Sequence, residues 1–268
     1  MNVVNFEKAV EFVKSRGNKV ELARLWYILA NEHPSPQVVT QLFAAQRSDG
    51  GWAPFWAHDY SSLDATCYRL AQAEQLGITA SEPAIRRATD FLAQRQSAAG
   101  SWEEDRQVAH ITPPCAKPGD LSAKLYLTAN CGLWLALRAF FPEQTVKAAD
   151  YLQVYLDQAG HLPSFWHTHW LAGGLWYKLN RLDLAQRVCE YLSRRITDLA
   201  VSNLSWLITT LCAAGAPTDQ PAVNKAALLL EQSQHADGRW PSEDGAGQDG
   251  HSTLEAMRAL WLCGRGLC

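Results

Sequence analysis

QRSDGGW, Gln46–Trp52, returns near the other end of the chain as QHADGRW, Gln234–Trp240, with the same spacing and the same Asp-Gly centre. Each copy is a short polar turn that leaves an apolar, helix-periodic run, FAAQRSDGGW from Phe43 and LLLEQSQHADGRW from Leu228. FLAQRQSAAGSW, Phe91–Trp102, is a third copy with two extra residues, and YLQVYLDQAGHL, Tyr151–Leu162, is a degraded fourth. A turn written four times across 268 residues marks an internal repeat, whose units bury a face only against their neighbours.

Around these turns the periodicity is helical, and alternation of β-branched residues is nearly absent. Three-and-four spacing of apolar residues predicts helices near 4–16, 20–32, 36–47, 62–76, 82–96, 121–140, 143–157, 166–179, 183–195, 201–214, 221–234 and 251–263. Pro and Gly punctuate most of the joins. Twelve helices make six hairpins of about 45 residues, an all-α chain. The polar turns close odd-numbered helices, and a second pattern opens even-numbered ones: SLDA at Ser62, DLSA at Asp120, NLSW at Asn203 and TLEA at Thr253. Aligned on that pattern, Asp64, Ser122, Ser205 and Glu255 are expected in one polar tier, with His167 or His169 nearby.

Bulk properties exclude several classes. A formal charge of −3 without a run of Lys and Arg argues against nucleic acid. No apolar stretch approaches the roughly 18–20 residues of a bilayer span. MNVVNFEKAVEF reads as an amphipathic helix rather than a secretory leader. Cys67, Cys131, Cys189, Cys212 and Cys263 lie in apolar helical runs and read as small buried thiols of a reducing, cytoplasmic compartment, with membrane association left open. The chain shows no P-loop, no dinucleotide fingerprint and no G-x-S-x-G nucleophile, so no cofactor is expected.

These turns resemble the QW motif of squalene-hopene-type triterpene cyclases, and the chain as a whole resembles the (α/α)6 toroid superfamily that also holds the protein prenyltransferase β subunits. The resemblance implies a single toroid domain over residues 1–268, with even helices forming an inner ring around an apolar cavity. Class II cyclases protonate an isoprenoid with an Asp in a D-x-D-D-T-A stretch. That stretch falls on Ser62–Cys67, where Asp64 matches the proton donor and Thr66 is retained, while Ser62 and Ala65 replace two carboxyls. An Asp at a helix start is equally a cap or dipole partner.

FWHTHWLAGGLW, Phe165–Trp176, is similar to a zinc-binding segment of the prenyltransferases, with His167 at the ligand position. Zinc needs at least three protein ligands, and DATCY at Asp64–Tyr68 is the nearest likeness to the remaining pair, one residue too long and two hairpins away instead of one. The leading expectation is therefore a metal-free, class II-like cyclase acting on an isoprenoid or prenylated small molecule. Asp64 would be the acid, His167 its partner and Glu255 the acceptor of the last proton. Tyr60, Ser122, Trp166, His169, Trp170, Ser205 and Trp206 would contact substrate, aromatic faces shielding cations without quenching them. A zinc-assisted prenyltransferase relative and a non-catalytic toroid that binds an isoprenoid or a partner chain are the alternatives.

Overall fold

Residues 4–243 and 245–265 are described by a computed structural model. Among them are twelve α-helices: α1 (Phe6–Arg16), α2 (Lys19–Ala30), α3 (Pro36–Phe43), α4 (Leu63–Glu74), α5 (Pro83–Gln94), α6 (Leu121–Leu137), α7 (Pro142–Tyr155), α8 (Trp166–Lys178), α9 (Leu182–Arg194), α10 (Val201–Ala213), α11 (Pro221–Gln232) and α12 (Asp249–Leu262). Strand pairing is confined, among the described residues, to one bridge between Trp52 and Ser62. All twelve helices fall on the segments expected from periodicity. The largest difference is at α3, which stops at Phe43 because the chain then enters the first polar turn.

The chain forms two compact units, a central one of residues 42–191 and a terminal one built from residues 1–41 and 192–268. In the central unit α6 packs against α4, α5, α7 and α8. Its residues are buried on every face from Leu125 to Leu135, as an all-round apolar helix must be. Odd-numbered helices instead bury one stripe. α5 buries Ala84, Ile85, Ala88 and Leu92 and leaves Arg86 and Arg87 exposed. In the terminal unit α12 packs against α1, α2, α10 and α11, so the two ends of the chain meet there.

The repeated turn has one geometry in all four places. Amide bonds run from Arg47 to the Gly51 carbonyl (2.9 Å), Ser97 to Ser101 (2.9 Å), Asp157 to His161 (3.0 Å) and His235 to Arg239 (2.9 Å). The glycines at its tip, Gly50, Gly100, Gly160 and Gly238, have φ between +88° and +94°. At Gly100 a Cβ would lie 2.5 Å from the Lys147 carbonyl oxygen of α7, so the turn presses its backbone onto a neighbouring odd helix.

Three glutamines clasp those contacts. Gln46 Nε2 donates to the carbonyls of Gly50 (2.9 Å) and Ala84 (2.8 Å), Gln96 to Gly100 (3.0 Å) and Gln144 (2.8 Å), and Gln234 to Gly238 (2.9 Å) and Asn5 (3.0 Å). Gln96, four residues before its glycine like Gln46, takes the clasp, so the extra residues of the third copy lie in the helix and the turn itself has normal length. In the degraded copy that position is Leu156, and no amide clasp forms there.

A second contact resets the register of the even helices. The Trp amides donate to a hydroxyl on the next even helix: Trp52 N to Thr66 Oγ1 (3.2 Å), Trp102 N to Thr128 Oγ1 (3.0 Å) and Trp240 N to Thr253 Oγ1 (3.0 Å). In the degraded copy Leu162 N donates to His169 Nε2 (3.1 Å). Thr66, Thr128, His169 and Thr253 are therefore the equivalent positions. Counting two residues back, the register positions equivalent to Asp64 are Tyr126, His167 and His251. Alignment on the SLDA-type opening pattern placed Ser122 there instead. It is displaced by one turn because α6 begins a turn earlier than α4 relative to its threonine.

Candidate active site

The site in the central unit grows from the start of α4. Ser62 caps the helix, its hydroxyl accepting from Ala65 N, and this places Asp64 in the first turn. Asp64 Oδ1 accepts from Tyr126 OH at 2.6 Å and from Asn130 Nδ2 at 3.3 Å, both on α6 and one turn apart. Both donors fall on one carboxyl oxygen. A proton on this group consequently sits on Oδ2.

Burial pushes the Asp64 carboxyl above the usual range, and the Tyr126 and Asn130 hydrogen bonds oppose that rise by supporting the anion. The residue stays half-buried, enclosed by protein yet accessible to a small partner. Tyr126, Cys67 and Cys131 are buried beside it, and burial also drives their ionisation upward. Cys67 Sγ and Cys131 Sγ lie 3.8 Å apart between α4 and α6. Cys115, on the 3-10 turn Pro114–Ala116 of the long loop, is half-buried and pushed up to about 11 by burial and then by Asp64. That turn packs on α6, with Ala116 buried, so residues 105–119 are built onto the unit rather than hanging free.

Aromatic contacts extend the site away from the carboxyl. Tyr126 meets Phe165 edge-on at 6.2 Å and His167 at 6.1 Å, and His167 meets Trp170 edge-on at 5.2 Å. Asp64 and His167 are thus joined through the Tyr126 phenol.

His169 faces elsewhere. Its Nε2 accepts from Leu162 N and its Nδ1 lies 3.1 Å from the Phe165 carbonyl, which fixes the proton on Nδ1. Burial lowers its pKa to about 4. It stacks on Tyr191 at 5.0 Å, and Trp166 stacks on the same Tyr191 at 6.1 Å. Neither reaches Asp64. Ser122 donates to the Pro163 carbonyl at 3.2 Å and ties α6 to the loop before α8. Tyr60 is brought in, but through its hydroxyl: it donates to Glu104 Oε2 at 2.9 Å and accepts from Asp105 N at 2.9 Å.

Ser205, Trp206 and Glu255 belong to the terminal unit. Ser205 is buried and bonds back to its own helix at Val201 O (3.4 Å), and Trp206 is half-buried on α10. Glu255 pairs with the fully buried Arg24, and His251 lies 3.8 Å from the same carboxylate. Burial works to raise the Glu255 carboxyl, but Arg24, His251 and Arg258 outweigh it and hold the group below the usual range. Trp261 is exposed. A cleft of about 320 Å³ also opens between α2 and α3, lined by Trp26, His33 and Val38 among others, and no residue named for the chemistry lines it.

Sequence reasoning named Asp64 and His167, which the structure joins through Tyr126. It missed Tyr126 as the donor to Asp64 and overlooked Asn130 and Glu104. The threonine that receives each Trp amide was the signal that would have exposed Tyr126. Among the described residues no group of three His, Cys, Asp or Glu side chains is disposed to hold a metal ion, and no helix is long and apolar enough to cross a membrane.

No family model and no curated protein matches this sequence. Solved structures do match its fold. A protein from Actinoplanes superposes with a TM-score of 0.63 at 17% identity, over 96% of this chain and 98% of that one. The type II terpene cyclase MstE from Scytonema superposes at 0.60 and 16% identity, over 95% and 96%. A variant of the same cyclase holding its substrate, geranylgeranyl dihydroxybenzoate, superposes at 0.59 and 15%, over 91% and 86%. The chain has a terpene cyclase-like, all-α fold.

Proposed function

We propose that this chain is a class II-like terpene cyclase, a single (α/α)6 toroid that cyclises an isoprenoid or prenylated small molecule after protonation by Asp64. One observation carries the reading: a carboxyl raised by burial, with both donors on Oδ1 and Oδ2 left to bear a proton. Transfer of that proton to a C=C bond leaves a carbocation on the substrate and a carboxylate on Asp64. Tyr126 and Asn130 stabilise the carboxylate as it forms, which is where a general acid needs help. Tyr126, Phe165 and His167 offer aromatic faces to the cation, whereas Trp170, expected to contact substrate, is fully buried behind His167. The cyclised cation then loses a proton to water, and Asp64 regains one from solvent, which completes the balance. Geranylgeranyl dihydroxybenzoate, held by the Scytonema cyclase, supports a prenylated aromatic acid as the first substrate to test.

The test is incubation with that compound and with free polyprenyl chains, followed by product analysis. Asp64→Asn should keep the helical circular dichroism and lower turnover by about 10²-fold or more, the scale of a lost general acid. Turnover that survives the change removes Asp64 from the role. A toroid that binds an isoprenoid without converting it is favoured by Ser62 and Ala65 standing where the cyclase motif has carboxyls. Tight binding with no product from any substrate would choose it.

A further inference from the structure

Glu104 follows the third polar turn by two residues and is buried. Its Oε1 accepts from Ser62 Oγ at 2.6 Å, from Leu63 N at 2.9 Å and from Asp64 N at 3.5 Å, and its Oε2 accepts from Tyr60 OH at 2.9 Å. These donors are the cap and first amides of α4, the positive end of its dipole, plus one phenol. Adjacent Glu103 takes Lys124 at 2.6 Å, and every donor to Glu104 among the described residues is neutral. Four donors therefore meet Glu104, against two on Asp64.

We infer that Glu104 is a positioning residue of this site: a second carboxyl, supplied from the neighbouring turn, which occupies the start of α4 as the anion and leaves Asp64 as the carboxyl that carries the proton. This rests on the proposed role of Asp64 and supplies what Ser62 and Ala65 lack. Two enclosed carboxyls that interact do not both ionise readily, and the one whose anion receives more hydrogen bonds gives up its proton first. Glu104, with twice the donors and the helix dipole, is that one. Burial raises the Glu104 carboxyl as well, and the Ser62, Tyr60 and Asp64 N donors oppose that rise; a charge on either carboxyl disfavours a second charge on the other.

Other groups facing Asp64 do not blur the assignment. Cys67 on its own helix, Tyr126 and Cys131 on α6, Cys115 on the loop and Tyr60 beside Glu104 are all pushed upward by burial and stay neutral at pH 7. His167 reaches Asp64 through the Tyr126 ring.

Glu104→Gln keeps an oxygen for the α4 amides and removes the charge. A general acid works while protonated, so activity falls as pH rises through its pKa. Without Glu104 the Asp64 pKa drops, and the alkaline limb of the rate profile should move down by about 1–2 pH units. Independently of turnover, difference infrared spectroscopy should show the protonated Asp64 carboxyl, identified by its loss in Asp64→Asn, disappearing at correspondingly lower pH. Tyr60→Phe, which removes one donor from Glu104, should shift the band the same way by less, and serves if Glu104→Gln does not fold. An unmoved band in a folded variant overturns the inference, reducing Glu104 to a cap. Loss of turnover in Asp64→Asn alongside that result would leave the cyclase proposal standing, whereas a moved band in a protein that forms no product would uphold Glu104 and remove the cyclase.

Discussion

Two enclosed carboxylates, Asp64 in the central unit and Glu255 in the terminal unit, have opposite fates. Both lie within two residues of the threonine that receives a Trp amide, Asp64 before Thr66 and Glu255 after Thr253. Asp64 meets a phenol and an amide and is raised, while Glu255 meets Arg24 and His251 and is lowered. Burial acts on both alike, so the partners decide. A neutral donor steadies an anion without a charge to offset desolvation, but a guanidinium supplies that charge. Repetition of the scaffold thus yields one carboxyl suited to hold a proton and one suited to an ion pair.

The comparison can be broken most directly by chemistry. If Asp64 is the proton-bearing member, Asp64→Asn removes turnover by about 10²-fold or more while Glu255→Gln weakens stability first. Equal loss of turnover per folded molecule in the two variants would erase the contrast. Arg24→Met leaves Glu255 enclosed without its closest cation and should cost about 3–5 kcal/mol in urea unfolding at pH 7. The double variant Arg24→Met with Glu255→Leu should recover much of that. If instead the double variant is no more stable than the single, the pair is not what holds α2 to α12.

Titration sharpens the same contrast. Glu255, depressed in the fold, adds stability above the unfolded glutamate pKa of about 4.3 and loses it as pH falls further through the folded value. His169 titrates in an earlier window. Its pKa of about 4 lies below the ordinary 6.5, so the unfolded chain takes up a proton first and stability falls by about 3 kcal/mol between pH 7 and pH 4. His169→Gln can accept from Leu162 and donate to Phe165, and the slope from pH 6.5 to 4 should flatten in that variant. An unchanged slope would place the acid sensitivity elsewhere. The smallest effect concerns the shared scaffold: Gly100→Ala forces a Cβ at φ +92° onto the Lys147 carbonyl and should cost about 2 kcal/mol, read by thermal or urea unfolding. A neutral result would mean that α7 gives way to the turn.

Much of the scaffold is legible in one dimension because its determinants are local. The helices follow from spacing of apolar residues, and the clasps from a glutamine four residues before a glycine in the left-handed region. Asp64 and His167 are visible too, since each sits in a recognisable local stretch. Aligning helices on their repeated opening pattern nevertheless put Ser122 level with Asp64 and left Tyr126 one turn away. Local patterns cannot reveal how far one helix slides along another. Ser205 and Glu255 were grouped with Asp64 by the same alignment, but Ser205 bonds to Val201 on its own helix and Glu255 pairs with Arg24.

From the sequence alone come twelve helices, their pairing by repeated turns, and a carboxyl at the start of the fourth, because backbone propensity, apolar period and turn chemistry act between near neighbours. Packing alone decided that Tyr126 and Asn130 meet Asp64 from 62 and 66 residues away, and that Glu104 rather than a neighbouring carboxyl tends α4. A proton's residence depends on donors and charges within a few ångströms, and those distances exist only once the helices have slid into register.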